Sequence, residues 1–143
     1  MNTAQIEQLL LNRGLPDLLP PDEGWVLPHY ESLSIANIPA TISALLGRNQ
    51  LGRSLPGALP PLPRDLWSDW APGLRRVVLV ILDALGYRLL QRRQAAGDGR
   101  VFGDLAAAGR MIPLTSVFPS TTSAALISLS TGRPPAEHGW LAY

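Results

Sequence analysis

The chain contains no cysteine, which excludes disulfides and thiolate metal sites. Net charge is almost absent as well: 12 basic against 11 acidic residues leave +1. That balance supplies no electrostatic case for a nucleic acid or an anionic membrane as partner. The short basic pairs Arg75-Arg76 and Arg92-Arg93 read as solvated ends of elements. No apolar run approaches the ~18 residues of a membrane span. Residues Met1 to Gln5 lack the basic region and apolar core of a signal peptide. No Gly-Lys-Ser/Thr run exists, so a nucleotide-binding P-loop is unsupported. A soluble, cytoplasmic protein with no membrane or nucleic-acid partner is the expectation.

Hydrophobic residues make up 46% of the 143-residue chain, a globular composition. A domain of this size buries roughly 68–70% of its unfolded surface. Organisation changes near residue 73, which gives an expected arm of helical and Pro-rich character over 1–73 and a second region over 74–143. In the arm, Ala4, Ile6, Leu9 and Leu10 mark a short amphipathic helix over 4–12, ended by Gly14 and Pro16. A Pro-rich stretch over 15–28 follows. Residues 40–46 form a second expected helix, with Pro39 at its start and Gly47 past its end. Residues 50–73 hold five prolines and two tryptophans without a sustained period, an irregular linker. Trp67 and Trp70 read as packing residues that pin it.

After Gly73 the pattern is α/β. Six consecutive apolar residues, Val77 to Leu82, are rich in β-branched types and do not alternate. This suits a central parallel strand buried on both faces. A helix over 87–96 is stopped by Gly97, and a short helical segment over 105–108 is stopped by Gly109. Residues 111–117 read as a second strand, bent or at an edge because of Pro113. Residues 123–130 form a last helix, with Leu126, Ile127 and Leu129 expected to face inward. Alternating strands and helices predict a doubly wound, mostly parallel sheet with ligands at the carboxyl ends of its strands.

Two features carry chemistry. Asp83 follows the apolar run directly, so its carboxylate is partly desolvated unless a cation neutralises it. A divalent metal does so; a plain turn cap formed with Ala84-Leu85-Gly86 is the alternative. The second feature is Pro119-Ser120-Thr121-Thr122-Ser123, where four hydroxyls open a helix. Such residues are ordinary N-caps, yet a helix start also presents free N–H groups and a positive dipole end to a phosphate. A threonine hydroxyl becomes a competent nucleophile when its pKa is lowered, as by a divalent metal.

The runs Val77 to Asp83, Ser116 to Ser123, and Ser130-Thr131-Gly132-Arg133-Pro134-Pro135-Ala136-Glu137-His138-Gly139 together resemble the alkaline phosphatase superfamily. Within it, the branch resembled is the type I phosphodiesterase/nucleotide pyrophosphatase family. Ser34 to Ala40 is similar to the leader of bacterial members. The resemblance implies an alkaline-phosphatase-like sheet, of which 74–143 is the first part. It implies hydrolysis of a small phosphodiester or nucleotide substrate with two divalent metal ions, usually zinc. In the family the nucleophile stands nine residues before the threonine of the Thr-Gly pair; counting back from Thr131 gives Thr122. Thr121 is then its neighbour in the cap. Asp83 and Thr122 become ligands of one metal, and His138 a structural histidine. Threonine at this position, rather than the cysteine or serine of a sulfatase, favours the diesterase branch.

Two positions depart from the family. Ala84 stands where glycine often follows the metal-binding aspartate. Tyr143 stands where the nucleotide pyrophosphatases place a phosphate-clamping asparagine. The family's later Asp and His ligands have no counterpart here, since His29 and His138 do not occupy their places. Two tetrahedral metals need roughly seven or eight ligand positions. The chain is therefore expected to be the N-terminal portion of a larger enzyme or a truncated product, or else a non-catalytic fragment or interaction module. A phosphatase using Asp83 itself as nucleophile would want a second Asp at 85, where Leu85 stands.

Overall fold

The computed structural model describes residues 1–15, 25–47, 57–98 and 100–142. They fall into two compact units: residues 1–78 with 114–143, and residues 79–113. Tyr143 and most of the Pro-rich stretch over 15–28 lie outside the described residues.

The first unit opens with helix α1, Thr3–Leu11. Its start is a reciprocal cap: the Asn2 side chain accepts from the Gln5 amide at 2.9 Å, and the Gln5 side chain accepts from the Asn2 amide at 2.9 Å. Ile6 and Leu10, one helical turn apart, are its buried pair. Helix α2, Ile38–Leu45, begins with Pro39 in its first turn, where a missing N–H costs nothing. Before it, Ile35–Asn37 forms one turn of 3-10 helix capped by Ser34. Further 3-10 turns occupy Arg64–Leu66 and Ser68–Trp70.

A buried polar hub ties these pieces together. The Asn37 amide nitrogen donates to the carbonyls of Tyr30 (2.9 Å) and Pro60 (2.8 Å), while its oxygen accepts from the Ser34 amide at 2.8 Å. Thr41 Oγ1 donates to the Asn37 carbonyl and accepts from the Leu62 amide, both at 2.8 Å. Trp67 is buried and its indole N–H donates to the Leu62 carbonyl at 2.8 Å, so it does pin the linker. Trp70 remains 44% exposed.

Helices α5, Thr122–Thr131, and α6, Pro135–His138, complete this unit. Ala124 on α5 packs with Ala36 and Val117 in a small core edged by Tyr30, Ile35, Leu59 and Ala125. The buried positions of α5 are Ala124 and Ser128 rather than its large residues; Leu126 is 43% exposed. Ala124 packs against Ala36, and Ser128 is held by His138 at 3.0 Å.

The second unit holds α3, Tyr87–Ala95, and α4, Arg100–Ala108, which contact each other. The expected segment over 105–108 thus proves to be the end of a longer helix.

The expected doubly wound, mostly parallel sheet is not found: the described residues are helical and contain no strand. One isolated parallel bridge, between Ser34 and Thr115, is what the 111–117 segment forms. The Thr115 amide donates to Leu33 at 2.9 Å and its carbonyl accepts from Ile35 at 3.0 Å. The ladder stops there because the chain coils into the 3-10 turn directly after Ser34, and Pro113 lacks the N–H that an earlier rung needs. Residues 77–82 pair with nothing among the described residues. Val78 is 85% exposed and Val80 72%, so the run is not the buried central strand its composition suggested.

Candidate functional site

The geometry around Thr122 follows from how α5 starts. Thr121 has extended backbone angles (φ −73, ψ 151) and is the N-cap. Its hydroxyl accepts from the Ala124 amide at 3.3 Å and donates to the Leu141 carbonyl at 3.1 Å. It also lies 3.4 Å from the Ser123 hydroxyl. Thr121 is thereby committed to holding the turn. Thr122, the first helical residue, is partly exposed, and its hydroxyl makes no hydrogen bond among the described residues. The amides of Thr122 and Ser123 likewise meet no acceptor there, as expected at a helix start. A hydroxyl without a structural task thus stands beside two free N–H groups at the positive end of α5.

The nine-residue spacing from Thr122 to Thr131 is the length of α5 itself, about 14 Å at 1.5 Å per residue. Gly132 ends the helix in the left-handed conformation, φ +72. It is further confined by Ala58, whose Cβ lies 2.9 Å from where a Cβ on Gly132 would stand. The Leu59 amide donates to the Gly132 carbonyl at 2.7 Å, tying the end of α5 to the linker.

His138 closes the α5–α6 corner. Its Nδ1 accepts from the Trp140 amide at 3.1 Å, so in the neutral ring Nε2 carries the proton and donates to Ser128 Oγ, 3.0 Å away. Ser128 is fully buried. A serine that receives a hydrogen bond from histidine inside the core is held, not activated, and this pair is a clasp between helices. Sequence reasoning singled out His138 but missed Ser128, whose only signal was a polar residue in the middle of an aliphatic helix.

Asp83 belongs to the second unit, Thr122 to the first. The expected desolvation of Asp83 is not found, because the residue is exposed. Its Oδ1 accepts from the Ala84 amide at 3.0 Å, a local turn bond. Ala84 has φ +58, the left-handed region where a Cβ is strained. The glycine usual there in the resembled family is thus the residue this backbone prefers, and alanine is held against its preference.

The other charged group of note is on the first unit's surface. Arg13 grips Glu31 with two hydrogen bonds (2.6 and 3.0 Å), which hold the Glu31 carboxyl below its ordinary value, while burial pushes the other way. His29 Nδ1 lies 3.3 Å from the same carboxylate but is not aligned for a hydrogen bond to it.

Among the described residues, no group of three or more His, Cys, Asp or Glu side chains is placed to hold a metal ion. The described residues therefore do not fit a closed tetrahedral metal centre.

A family model, "Type I phosphodiesterase / nucleotide pyrophosphatase", matches residues 77–143. That stretch of the chain is similar to the type I phosphodiesterases/nucleotide pyrophosphatases. The match covers both Asp83 and the α5–α6 corner, and it accords with the resemblance carried by the motifs. Comparison with curated proteins and with solved structures yielded no match. The name of the matching family points to phosphodiester- or pyrophosphate-type hydrolysis. No helix among the described residues is long and apolar enough to cross a membrane.

Proposed function

We propose that this chain supplies the nucleophile and one metal ligand of a phosphodiester- or pyrophosphate-cleaving hydrolase, the remaining donors coming from polypeptide outside it. The observation that carries the reading is the division of labour at the start of α5, within the family match. Thr121 is consumed as the cap, whereas Thr122 is unencumbered and flanked by free amides. In this reading the Thr122 oxygen attacks phosphorus, forming a phosphothreonine ester. The leaving alcohol or phosphate departs with the electron pair of the broken P–O bond. Water then cleaves the ester and restores the hydroxyl. The two amides favour the negative charge of the bound phosphate. In this reading Thr122 is the nucleophile and Asp83 the metal ligand, with zinc the metal of the complete enzyme. A small phosphodiester or nucleotide is the substrate class.

The test is a pair of substitutions in the complete enzyme, assayed with a chromogenic phosphodiester. Thr122→Ala abolishes cleavage. Thr121→Ala costs about 1 kcal/mol of stability through the lost cap and retains substantial turnover. Equal loss of turnover in both variants at unchanged stability would overturn the register. A second reading, a non-catalytic interaction module, draws on the absence of a three-ligand cluster among the described residues. Saturable zinc binding together with hydrolysis separates the enzyme from the module.

A further inference from the structure

Thr122 is placed from two sides. On the helix side, Thr121 caps α5, and Ala124 packs with Ala36 and Val117. On the other side the chain arrives along residues 114–121, which belong to no helix. What holds this approach is the arm, which lies outside the matched stretch 77–143. The Thr115 amide and hydroxyl both donate to the Leu33 carbonyl, at 2.9 and 3.2 Å. The same hydroxyl accepts from the His29 amide at 2.9 Å. Further along, the Phe118 amide donates to the Tyr30 hydroxyl at 2.9 Å.

That bond is the last one the approach makes to the arm before the hydroxyl turn. The next residue, Pro119, has no N–H to offer. Tyr30 is itself well anchored. Its ring packs on the cluster of Ala36, Val117 and Ala124, which also seats the first turn of α5. Its carbonyl accepts from the buried Asn37 side chain at 2.9 Å. One residue thus touches both the core beneath α5 and the backbone that enters it. Burial pushes the Tyr30 phenol up from its ordinary value, against the opposing effect of the Phe118 amide. At neutral pH it is therefore an uncharged hydrogen-bond acceptor and not a base.

We propose that Tyr30 is a positioning residue for Thr122: its hydroxyl, through the Phe118 amide, fixes where the chain enters α5 and so where the Thr122 oxygen stands. The inference rests on the reading of Thr122 as nucleophile. The Phe118–Tyr30 bond is exposed, so water takes the place of a deleted phenol oxygen and stability changes little. What is lost is a fixed distance, and misplacing a reacting atom by about 1 Å can cost about 100-fold in rate.

Three variants of the complete enzyme test it, each melted and assayed with a chromogenic phosphodiester. Tyr30→Phe keeps the ring and removes the acceptor. Its kcat falls about tenfold, its KM stays within about twofold, and its Tm moves by less than about 2 °C. Thr115→Val removes buried side-chain hydrogen bonds earlier in the same approach but leaves the Tyr30 bond in place. Its Tm falls by more than that of Tyr30→Phe, while its kcat stays within about twofold. Thr122→Ala is the reference, and turnover retained in it would overturn the nucleophile reading and the positioning role together. With Thr122→Ala inactive, three results would each overturn the positioning role alone. They are a wild-type kcat in Tyr30→Phe, a raised KM at unchanged kcat, and kcat losses in both variants that follow their Tm. Amide hydrogen exchange in the 143-residue chain checks the bond apart from activity. Tyr30→Phe speeds exchange at Phe118 at least about threefold, and unchanged exchange there would also overturn the proposal.

Discussion

Asn37→Ala should be among the most damaging single substitutions in the first unit. Asn37 is fully buried, and its side chain makes three hydrogen bonds: from the Ser34 amide, and to the carbonyls of Tyr30 and Pro60. Each such bond is worth about 1 kcal/mol net. Removing the amide also strands the Ser34 N–H in a buried setting, which costs at least about 1 kcal/mol more. The sum is roughly 3–4 kcal/mol, a large share of the 5–15 kcal/mol typical of a domain. Asn37 also precedes α2 as its N-cap residue, but its side chain makes no cap bond there, so no capping loss is added. Urea unfolding followed by tryptophan fluorescence and by helical circular dichroism should show a lower midpoint at unchanged slope. Asn37→Asp keeps an acceptor for Ser34 but turns it against two carbonyls, so its loss should match or exceed that of alanine near neutral pH. That loss should shrink in acid, where a protonated carboxyl can donate one bond. A loss below about 1 kcal/mol for Asn37→Ala would show that the hub is not what joins the linker to α2.

Gly132→Ala should destabilise by about 2 kcal/mol or more, read as a lowered Tm, since φ is +72 and the new Cβ would meet the Ala58 Cβ at 2.9 Å. Glu31 has its folded carboxyl held below 4.5, first by the Arg13 side chain, so its contribution to stability is present above that value and is lost as pH falls through the folded one. The carboxylate is 62% exposed, which keeps the effect under about 1 kcal/mol. Arg13→Met should therefore lower the denaturation midpoint slightly near pH 7 and leave it unchanged near pH 2, and an equal drop at both would refute the pairing.

The helices were legible because their signals are local. The apolar pair Ile6 and Leu10, Pro39 in the first turn of α2 and Gly47 after it, and the hydroxyls at the start of α5 all act within a turn of the residues they organise. The Thr122–Thr131 spacing came from the family resemblance, and in the structure it is the length of α5. A strand has no such autonomy. Residues 77–82 carry strand composition, but a strand forms only when another segment supplies hydrogen bonds, and none of the described residues does. Residues 111–117 obtained a single rung on Ser34 before the neighbouring backbone coiled away.

Burial on α5 was equally undecidable from composition. Hydrophobicity pointed inward at Leu126, Ile127 and Leu129, while the buried residues are Ala124, packed against Ala36, and Ser128, held by His138. The same holds for Asn37. Its partners at Tyr30 and Pro60 lie 7 and 23 residues away, so nothing near it in the chain marked it as the hub. Sequence alone determined which short segments coil and which residue types could perform phosphate chemistry. Tertiary structure decided which polar side chains are buried as hubs and which apolar run finds no strand partner among the described residues, because hydrogen-bond partners and packing distances are set by segments remote along the chain.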